Sequence, residues 1–512
     1  MEADKPVPHR GLIVLCTIGA TVLQTLDSTI ANVALPYMQG TFSSTLDQVT
    51  WVLTSYIVAT AIFTGPVGWL SNRYGRKNFF IFCLAGFTFA SVLCGFATSL
   101  PEMVVFRIIQ GATGAAIVPL SQAVMMDIYP PQQRGSAMAM WGMGVMVGPI
   151  IGPTLGGYLI DAYDWRYCFF INLPFGIGAI AGLALFLKDN GANKSMQFDW
   201  TGFASLALAL GALQLMLDRG SDKDWFESGE IVLAGVLALT GAYLFAIHMW
   251  LSPRCFIPPA LFRDRNFAVG FVTMFLVGAV LIASVALLAP YLQVLAGYSV
   301  WETGLLLAPR SIGVMAAMLV AGRFTDKFDP RWLMAFGIVL IALSFWEMSR
   351  WTPDIDAFSL VWVTMIQGAG LGMFFVPMQV IAFATLPPSL RTDGSALLSL
   401  VRNVGSAVGV SLVATMLARN AQIAHAQIAE AVTPFNRFIQ SHGAFFLWNP
   451  VTERGRAALN GEITRQAMTI SYSNDFLLML WIVIPVLFLP FLMRRPARHG
   501  MAPAARPVAA DH

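Results

Sequence analysis

Fourteen separate runs of mainly apolar residues, each about as long as a bilayer is thick, constrain this chain more than any other feature. A helix needs about 20 such residues to cross the hydrocarbon core. Runs of that kind fall at 11–35, 49–70, 79–99, 103–127, 135–160, 167–187, 200–217, 230–250, 267–294, 302–322, 333–349, 359–384, 395–417 and 475–493. The run 200–217 is short and flanked by polar residues. In lipid the backbone must satisfy its own hydrogen bonds, so each run is predicted to be a helix. The first run contains Asp27 and is too long for a cleaved signal peptide, so it counts as span 1. Only 12% of residues are charged, about half of what a water-soluble domain carries. A net charge of +3 without a basic tract gives no footing for nucleic acid.

An even number of spans puts both termini on one side, and basic residues say which. With both ends cytoplasmic, nineteen of the 31 Lys and Arg residues lie in cytoplasmic segments and four (Arg166, Arg219, Lys223, Arg350) in short outer loops. That is the asymmetry expected of cytoplasmic loops. Three arginines remain inside spans: Arg107, Arg310 and Arg402.

The chain repeats itself. Ile109-Gln110-Gly111-Ala112 returns as Ile366-Gln367-Gly368-Ala369, each followed by a Val-Pro step, Val118-Pro119 and Val376-Pro377. Pro130-Pro131 followed by Arg134 returns as Pro387-Pro388 followed by Arg391, with Gly-Ser-Ala next in both cases. Spans 1–6 therefore match spans 9–14 in the same orientation, as in transporters built from parallel repeats. The expected organisation is an all-α integral membrane protein: a six-helix bundle over 1–190, two inserted helices over 191–255, and a second six-helix bundle over 256–512 that includes an outer loop at 418–474.

Asp27 is the residue that carries most chemistry. A carboxyl at helix-centre depth costs about 2.5–3.5 kcal/mol, so it must face a cavity or a partner. Gln24, Asp27, Ser28 and Ala31 share one helical face. Such an acid can load a proton on one side of the membrane and release it on the other; the alternative is a carboxyl that only ties span 1 to a neighbour. Arg107, on one face of span 4 with Gln110, Gly111 and Gly114, is suited to holding a nearby carboxylate, or else to snorkelling at the outer end of its span. The matching position in the second half is Thr364, which assigns the proton chemistry to the first bundle.

Span 5 carries Gly144, Gly148, Gly152 and Gly156 at strict four-residue spacing, with Pro149 and Pro153 beside them. Such a stripe permits backbone contact between helices, and the prolines permit bending; the expectation is a seam along which the two bundles rock. The inner loop between spans 2 and 3 supplies Gly68, Asn72, Arg73, Gly75 and Arg76, whose cations can latch helix ends across the bundle interface, with Asp326 as their counterpart in the second half. Gln24, Asn32, Trp51, Tyr56, Gln110, Trp141, Tyr291, Gln293, Gln367, Phe374 and Phe375 are candidate cavity linings for an apolar, cationic or aromatic substrate. Arg310 and Arg402 either face the cavity or snorkel; Arg402 is grouped with the conformational residues.

These motifs together resemble the EmrB/QacA subfamily of the major facilitator superfamily, the fourteen-span drug:proton antiporters, over nearly the whole chain. The residues that carry the resemblance are Leu26-Asp27-Ser28-Thr29-Ile30-Ala31-Asn32-Val33-Ala34-Leu35-Pro36, the loop at 68–77, Arg107 with Gln110-Gly111, the Gly-Pro stripe of span 5, and Trp165-Arg166 with Phe170-Ile171-Asn172-Leu173-Pro174. Leu215-Met216-Leu217-Asp218-Arg219-Gly220 is similar to the EmrB branch in particular. The resemblance implies the major facilitator fold and proton-coupled multidrug efflux through Asp27 and Arg107, with no cofactor beyond the proton gradient. It also implies a bacterial inner-membrane location, a periplasmic adaptor and an outer-membrane channel. Asn72 departs from the family, whose loop carries Asp there, so a carboxylate latch is expected from Asp326 instead. The alternative is proton-coupled export of one metabolite, siderophore or fatty acid.

Other classes find no support. Cys16, Cys83, Cys94, Cys168 and Cys255 form no framework for disulfides or zinc. The six histidines are scattered between the termini (His9, His499, His512), the end of span 8 (His248) and the outer loop (His425, His442), so neither an enzyme nor a metal site is expected.

Overall fold

A computed structural model describes residues 9–188, 191, 197–252, 255–325, 327–432, 448 and 452–494. Thirteen of its helices are long and apolar enough to cross a membrane, and a bent pair supplies a fourteenth crossing. In chain order they are α1 (Arg10–Thr41), α2 (Trp51–Thr64 and Val67–Tyr74), α3 (Arg76–Phe96), α4 (Leu100–Ile128), α5 (Arg134–Ala162), α6 (Tyr167–Phe186), α7 (Trp200–Arg219) and α8 (Gly229–Leu251). They continue as α9 (Arg265–Leu295), α10 (Val300–Thr325), α11 (Pro330–Met348), α12 (Ala357–Ala384), α13 (Arg391–Ala431) and α14 (Glu453–Leu492). The chain is thus a multi-pass, all-helical membrane protein.

Local sequence explains the irregularities. The two parts of α2 meet at 59° across Gly65 and Pro66, where a missing backbone donor and a missing side chain coincide. Inside α4, Pro119 removes a donor for the carbonyl of Ala115, and the helix breaks between Gly114 and Ile117. Gly75 turns α2 into α3 with φ 86°, a conformation that needs no side chain. Helix α13 extends to Ala431 and α14 begins at Glu453, so both continue past the apolar stretches expected from sequence into the outer aqueous side.

The repeat in sequence is a repeat in packing. Helix α1 packs on α5, and α9 on α13; α2 packs on α4, and α10 on α12. The glycine stripe of α5 serves the first of these pairs. A side-chain carbon at Gly156 would lie 2.7 Å from Ile30, and one at Gly148 would lie 2.6 Å from the backbone nitrogen of Leu26. Gly405 and Gly409 of α13 abut Phe275 and Ala279 of α9 in the same manner. The stripe is therefore a seam within the first bundle, not the inter-bundle seam expected from sequence. The reason is its direction: the four glycines face α1, while α5 meets the second bundle through Ala139, Trp141 and Gly142.

The inserted helices have a distinct place. Helix α7 packs on α2 and α13, covering the gap where the two halves meet, and α8 packs behind it. The outward faces of α8 are apolar, with Leu239 and Trp250 more than 70% exposed, as lipid-facing positions should be.

Candidate functional site

Asp27 and Arg107 form a fully buried ion pair, Nη1 to Oδ2 2.8 Å. Three elements build it. Helix α1 presents Asp27, α4 presents Arg107 and Gln110 one turn apart on one face, and α6 presents Asn172 at the first turn after the Phe170-Ile171 break. Gln110 Nε2 donates to Asp27 Oδ1 at 2.8 Å and Asn172 Nδ2 donates to the same oxygen at 2.7 Å. Arg107 also donates to Gln110 Oε1 at 2.7 Å and to the carbonyl of Val52 at 3.1 Å. Asn172 reaches on to Ser91, 2.8 Å away. Removing one partner of a buried pair costs about 3–5 kcal/mol because the other charge is left stranded. The cluster therefore ties α1, α4 and α6 together through one buried carboxylate and its three donors.

Tyr56 separates this cluster from the outside world. Its ring lies under the guanidinium, 4.1 Å from centroid to Cζ, while Tyr56 itself lines a large cavity. That cavity, about 700 Å³, lies between the two halves, within the range of small-molecule sites. Its walls come from α1, α2, α4, α5, α7, α9, α10, α12 and α13, and most of them are apolar, with Met146, Met274, Met318 and Phe375 prominent. Long flexible thioethers suit ligands of varied shape.

The cavity is sealed from the cytoplasm. Asp127 at the inner end of α4 accepts from Arg76 of α3 and, at 2.9 Å, from Arg391 of α13. Arg76 reaches Thr392 at 2.9 Å, and Ser395 donates to Gln122 at 2.6 Å. Gly68 lies against Asp393 so closely that a side-chain carbon there would stand 2.8 Å from its Cα. Gly322 of α10 lies against Ala139 of α5, 2.6 Å from a carbon at that position. At the other end the cavity reaches Asp218 and Ser221, at the outer end of α7, and Ala414 in the outer half of α13.

The sequence-derived candidates divide accordingly. Gln24, Tyr56, Pro149, Phe375 and Arg402 line the cavity. Gln110 does not; it belongs to the ion-pair cluster. Trp141 is buried behind Phe375, stacked on it at 6.2 Å, with its indole nitrogen on Ser121. Tyr291 is buried under Trp351, Tyr472 and Phe476 and donates to the carbonyl of Thr352 at 2.9 Å. Gln367 and Phe374 are buried within the second half. Trp51 stands at the outer surface with its ring 5.9 Å from Arg219, and Asn32 and Gln293 are exposed on their helices. Aromatic and amide residues at membrane depth pack in cores as readily as they line cavities, and spacing alone does not separate the two.

Gly68, Gly75 and Arg76 sit at the closed inner face; Asn72 and Arg73 are half-buried beside them. Asp326, the expected counterpart, lies outside the described residues; among those described, Asp127 and Asp393 are carboxylates that make the contacts between the halves at this face. Gly144, Gly148, Gly152 and Gly156 lie against α1, and Pro153 is carried within α5. Arg310 approaches Ser284 of α9, 3.5 Å away, and is not part of the cavity wall. Sequence reasoning gave Asn172, Ser91, Asp127 and Asp393 no role. Asn172 was visible only as one letter of a turn motif, and the two aspartates as ordinary charges at span ends. Asp475, near the start of the last apolar run, is buried with neither carboxyl oxygen partnered among the described residues.

Comparison with known proteins fits this architecture. Residues 17–410 and 269–494 match the sequence model described as Major Facilitator Superfamily. The chain is 34% identical over 508 residues to the multidrug export protein EmrB of Escherichia coli K12, covering 98% of this chain and 99% of that one. It is also 34% identical over 477 residues to the fatty acid resistance protein FarB of Neisseria gonorrhoeae, covering 92% and 94%. Among solved structures, the proton:xylose symporter XylE superposes with a TM-score of 0.60 at 15% identity, over 96% of this chain and 97% of that one. The human organic anion transporter MFSD10 gives 0.58 at 14%, over 93% and 100%. At such identities the structures show a shared fold and nothing finer.

Proposed function

The chain belongs to the Major Facilitator Superfamily, and from that premise we propose that it is a proton-coupled exporter of hydrophobic compounds, a multidrug efflux transporter of the bacterial inner membrane. It moves molecules and does not transform them. The observation that carries the reading is the buried Asp27–Arg107 pair placed behind the wall of a large, mostly apolar cavity, with Tyr56 touching both.

Coupling follows from the cost of stranding a buried charge. With Asp27 ionised, Arg107, Gln110 and Asn172 hold α1, α4 and α6 together. A proton arriving from the outer side neutralises Asp27, leaves Arg107 to Gln110, Val52 and the Tyr56 ring, and so changes the cavity wall at Tyr56. The halves 1–190 and 256–512 then move as two bodies: the inner contacts of Asp127 with Arg76 and Arg391 open, and the proton leaves to the cytoplasm as substrate enters. Each turnover exchanges substrate outward for proton inward, with no cofactor or metal. The 418–474 loop docks a periplasmic adaptor that passes substrate to an outer-membrane channel; this rests on its length and on the aromatic residues Phe435, Phe438, Phe445, Phe446 and Trp448. The first four lie outside the described residues.

A second reading, export of one physiological metabolite such as a fatty acid, is favoured by the similarity to FarB. A susceptibility panel of a deletion strain, with and without the gene, separates a broad from a single-compound profile.

The central test is Asp27→Asn in proteoliposomes. An imposed pH gradient drives substrate accumulation by the wild type; the variant loses gradient-driven transport while still inserting and binding. Undiminished uphill transport by Asp27→Asn overturns the assignment.

A further inference from the structure

The cavity contains a cation that neither the ion-pair cluster nor the inner latch uses. Arg402 lies about three turns into α13 from Arg391, deep in the membrane crossing. Its stem packs on the bare backbone of α9 at Gly278, where a side-chain carbon would come within 3.2 Å of Arg402 Cγ. Its side chain lines the cavity. Among the described residues its guanidinium has no ion pair, hydrogen bond or ring contact. The other two intramembrane arginines differ: Arg107 is ion-paired with Asp27, and Arg310 lies toward Ser284 behind the wall.

An unpaired guanidinium at this depth costs free energy on any membrane scale, and position rules out snorkelling as the remedy, because the residue faces the space between the halves. A carboxylate already in the protein does not relieve it. Among the described residues the cavity wall has one acidic residue, Asp218, which lies at the outer mouth and accepts from Thr54 at 2.6 Å and Gln214 at 3.4 Å. Asp27 is behind Tyr56 and paired. Around Arg402 the wall is otherwise apolar or neutral: Met274, Val277 and Leu281 of α9, Asn403 and Ser406 of α13, and Phe375 facing them. A planar five-donor fork at the base of an apolar chamber matches an anionic head on an apolar body.

We propose that Arg402 anchors the head group of amphipathic carboxylates, which makes carboxylate-bearing amphiphiles a preferred substrate class of this exporter. The apolar body lies along the methionine-rich wall while the carboxylate takes two guanidinium donors. The inner face is closed by Asp127, Arg76 and Arg391, and the cavity extends to Asp218 at the outer end of α7. The proposal rests on the reading of this cavity as the substrate site of a proton-coupled exporter.

Purified full-length protein in maltoside micelles is tested with radiolabelled dodecanoate, competed by dodecanoate, dodecan-1-ol and dodecylammonium. A charge-assisted head-group contact predicts that the wild type binds the carboxylate about 10–100-fold more tightly than the alcohol. In Arg402→Gln that preference collapses to about unity; in Arg402→Lys part of it remains, since charge is kept and the fork is lost. A second variant, Ser406→Asp, places a carboxylate one turn away on the same helical face and occupies Arg402 from within. It removes the preference with Arg402 still present. Equal carboxylate preference in Arg402→Gln and wild type, or a wild type that prefers dodecylammonium, overturns the proposal. Gradient-driven export of a neutral dye, measured in parallel in proteoliposomes, separates the two readings. If the dye moves and the carboxylate preference is absent, only the Arg402 assignment fails; if no compound moves, the exporter reading fails and the proposal falls with it.

Discussion

The contact between α5 and α1 can be tested with one added carbon. A methyl at Gly148 would stand 2.6 Å from the backbone nitrogen of Leu26 and 2.6 Å from the carbonyl carbon of Thr25, whereas ordinary contact begins at 3.4 Å. Those atoms are main chain and cannot rotate away, so Gly148→Ala forces the helices apart by about 0.8 Å. Asp27 is carried on the same turn of α1. Its bonds to Asn172 and Arg107, 2.7 Å and 2.8 Å, would stretch beyond about 3.2 Å, where hydrogen bonding weakens. Overpacking of this kind costs about 1–3 kcal/mol, and a displacement near 1 Å at a working site lowers rates by up to about 100-fold. The expected result is insertion and yield close to wild type, with gradient-driven turnover in proteoliposomes reduced about 10–100-fold. Gly157→Ala is the matched control, because a carbon there has nothing within 4 Å; it should keep turnover within about twofold. Wild-type turnover by Gly148→Ala, or equal damage from Gly157→Ala, refutes the reasoning.

Two further outcomes follow from other parts of the molecule. Asp127→Ala deprives Arg76 and Arg391 of their shared acceptor; spin labels across the cytoplasmic face should report a longer mean distance and a larger inward-open population, and an unchanged distance distribution counts against the latch. Replacing residues 433–450 with a Gly/Ser linker should abolish adaptor co-purification and efflux from cells while sparing transport in liposomes, and an adaptor that still co-purifies at the wild-type level rules out docking by this segment.

The spans were legible because lipid imposes a single demand, helices with apolar sides, and every run that met it is a crossing. Their ends were less so. Residues 418–431 of α13 and 453–474 of α14 are helical beyond the apolar runs, where hydropathy is silent; for 419–431 the helix-favouring Ala, Gln and Ile carry the signal instead. The bend of 59° in α2 at Gly65-Pro66 lies inside one apolar run, where hydropathy gives no sign of it. A glycine stripe announces that some backbone comes close without naming it. Here it is α1, and only the equivalent contacts of Gly405 and Gly409 with α9 reveal the stripe as a property of each half.

At the site, sequence reveals which residues are costly, and structure reveals whether the cost is relieved. Asp27, Arg107, Arg310 and Arg402 each stood out as a charge in an apolar run. That Asp27 and Arg107, 80 positions apart, meet at 2.8 Å depends on how α1 crosses α4, and no local pattern encodes it. Asn172 was less visible still, since an amide costs little on any scale until it is seen donating to a buried carboxylate. Trp141, Tyr291 and Phe374 misled for the opposite reason: large rings fill cores and cavities equally well, and only burial on all sides distinguishes the two. Charge is the better guide at this depth, because an intramembrane charge is costly and calls for a reason. Arg107 has its partner, Asp27, inside the chain. Among the described residues Arg402 faces the chamber with none, and that difference is the physical reason for proposing the first for the proton and the second for the cargo.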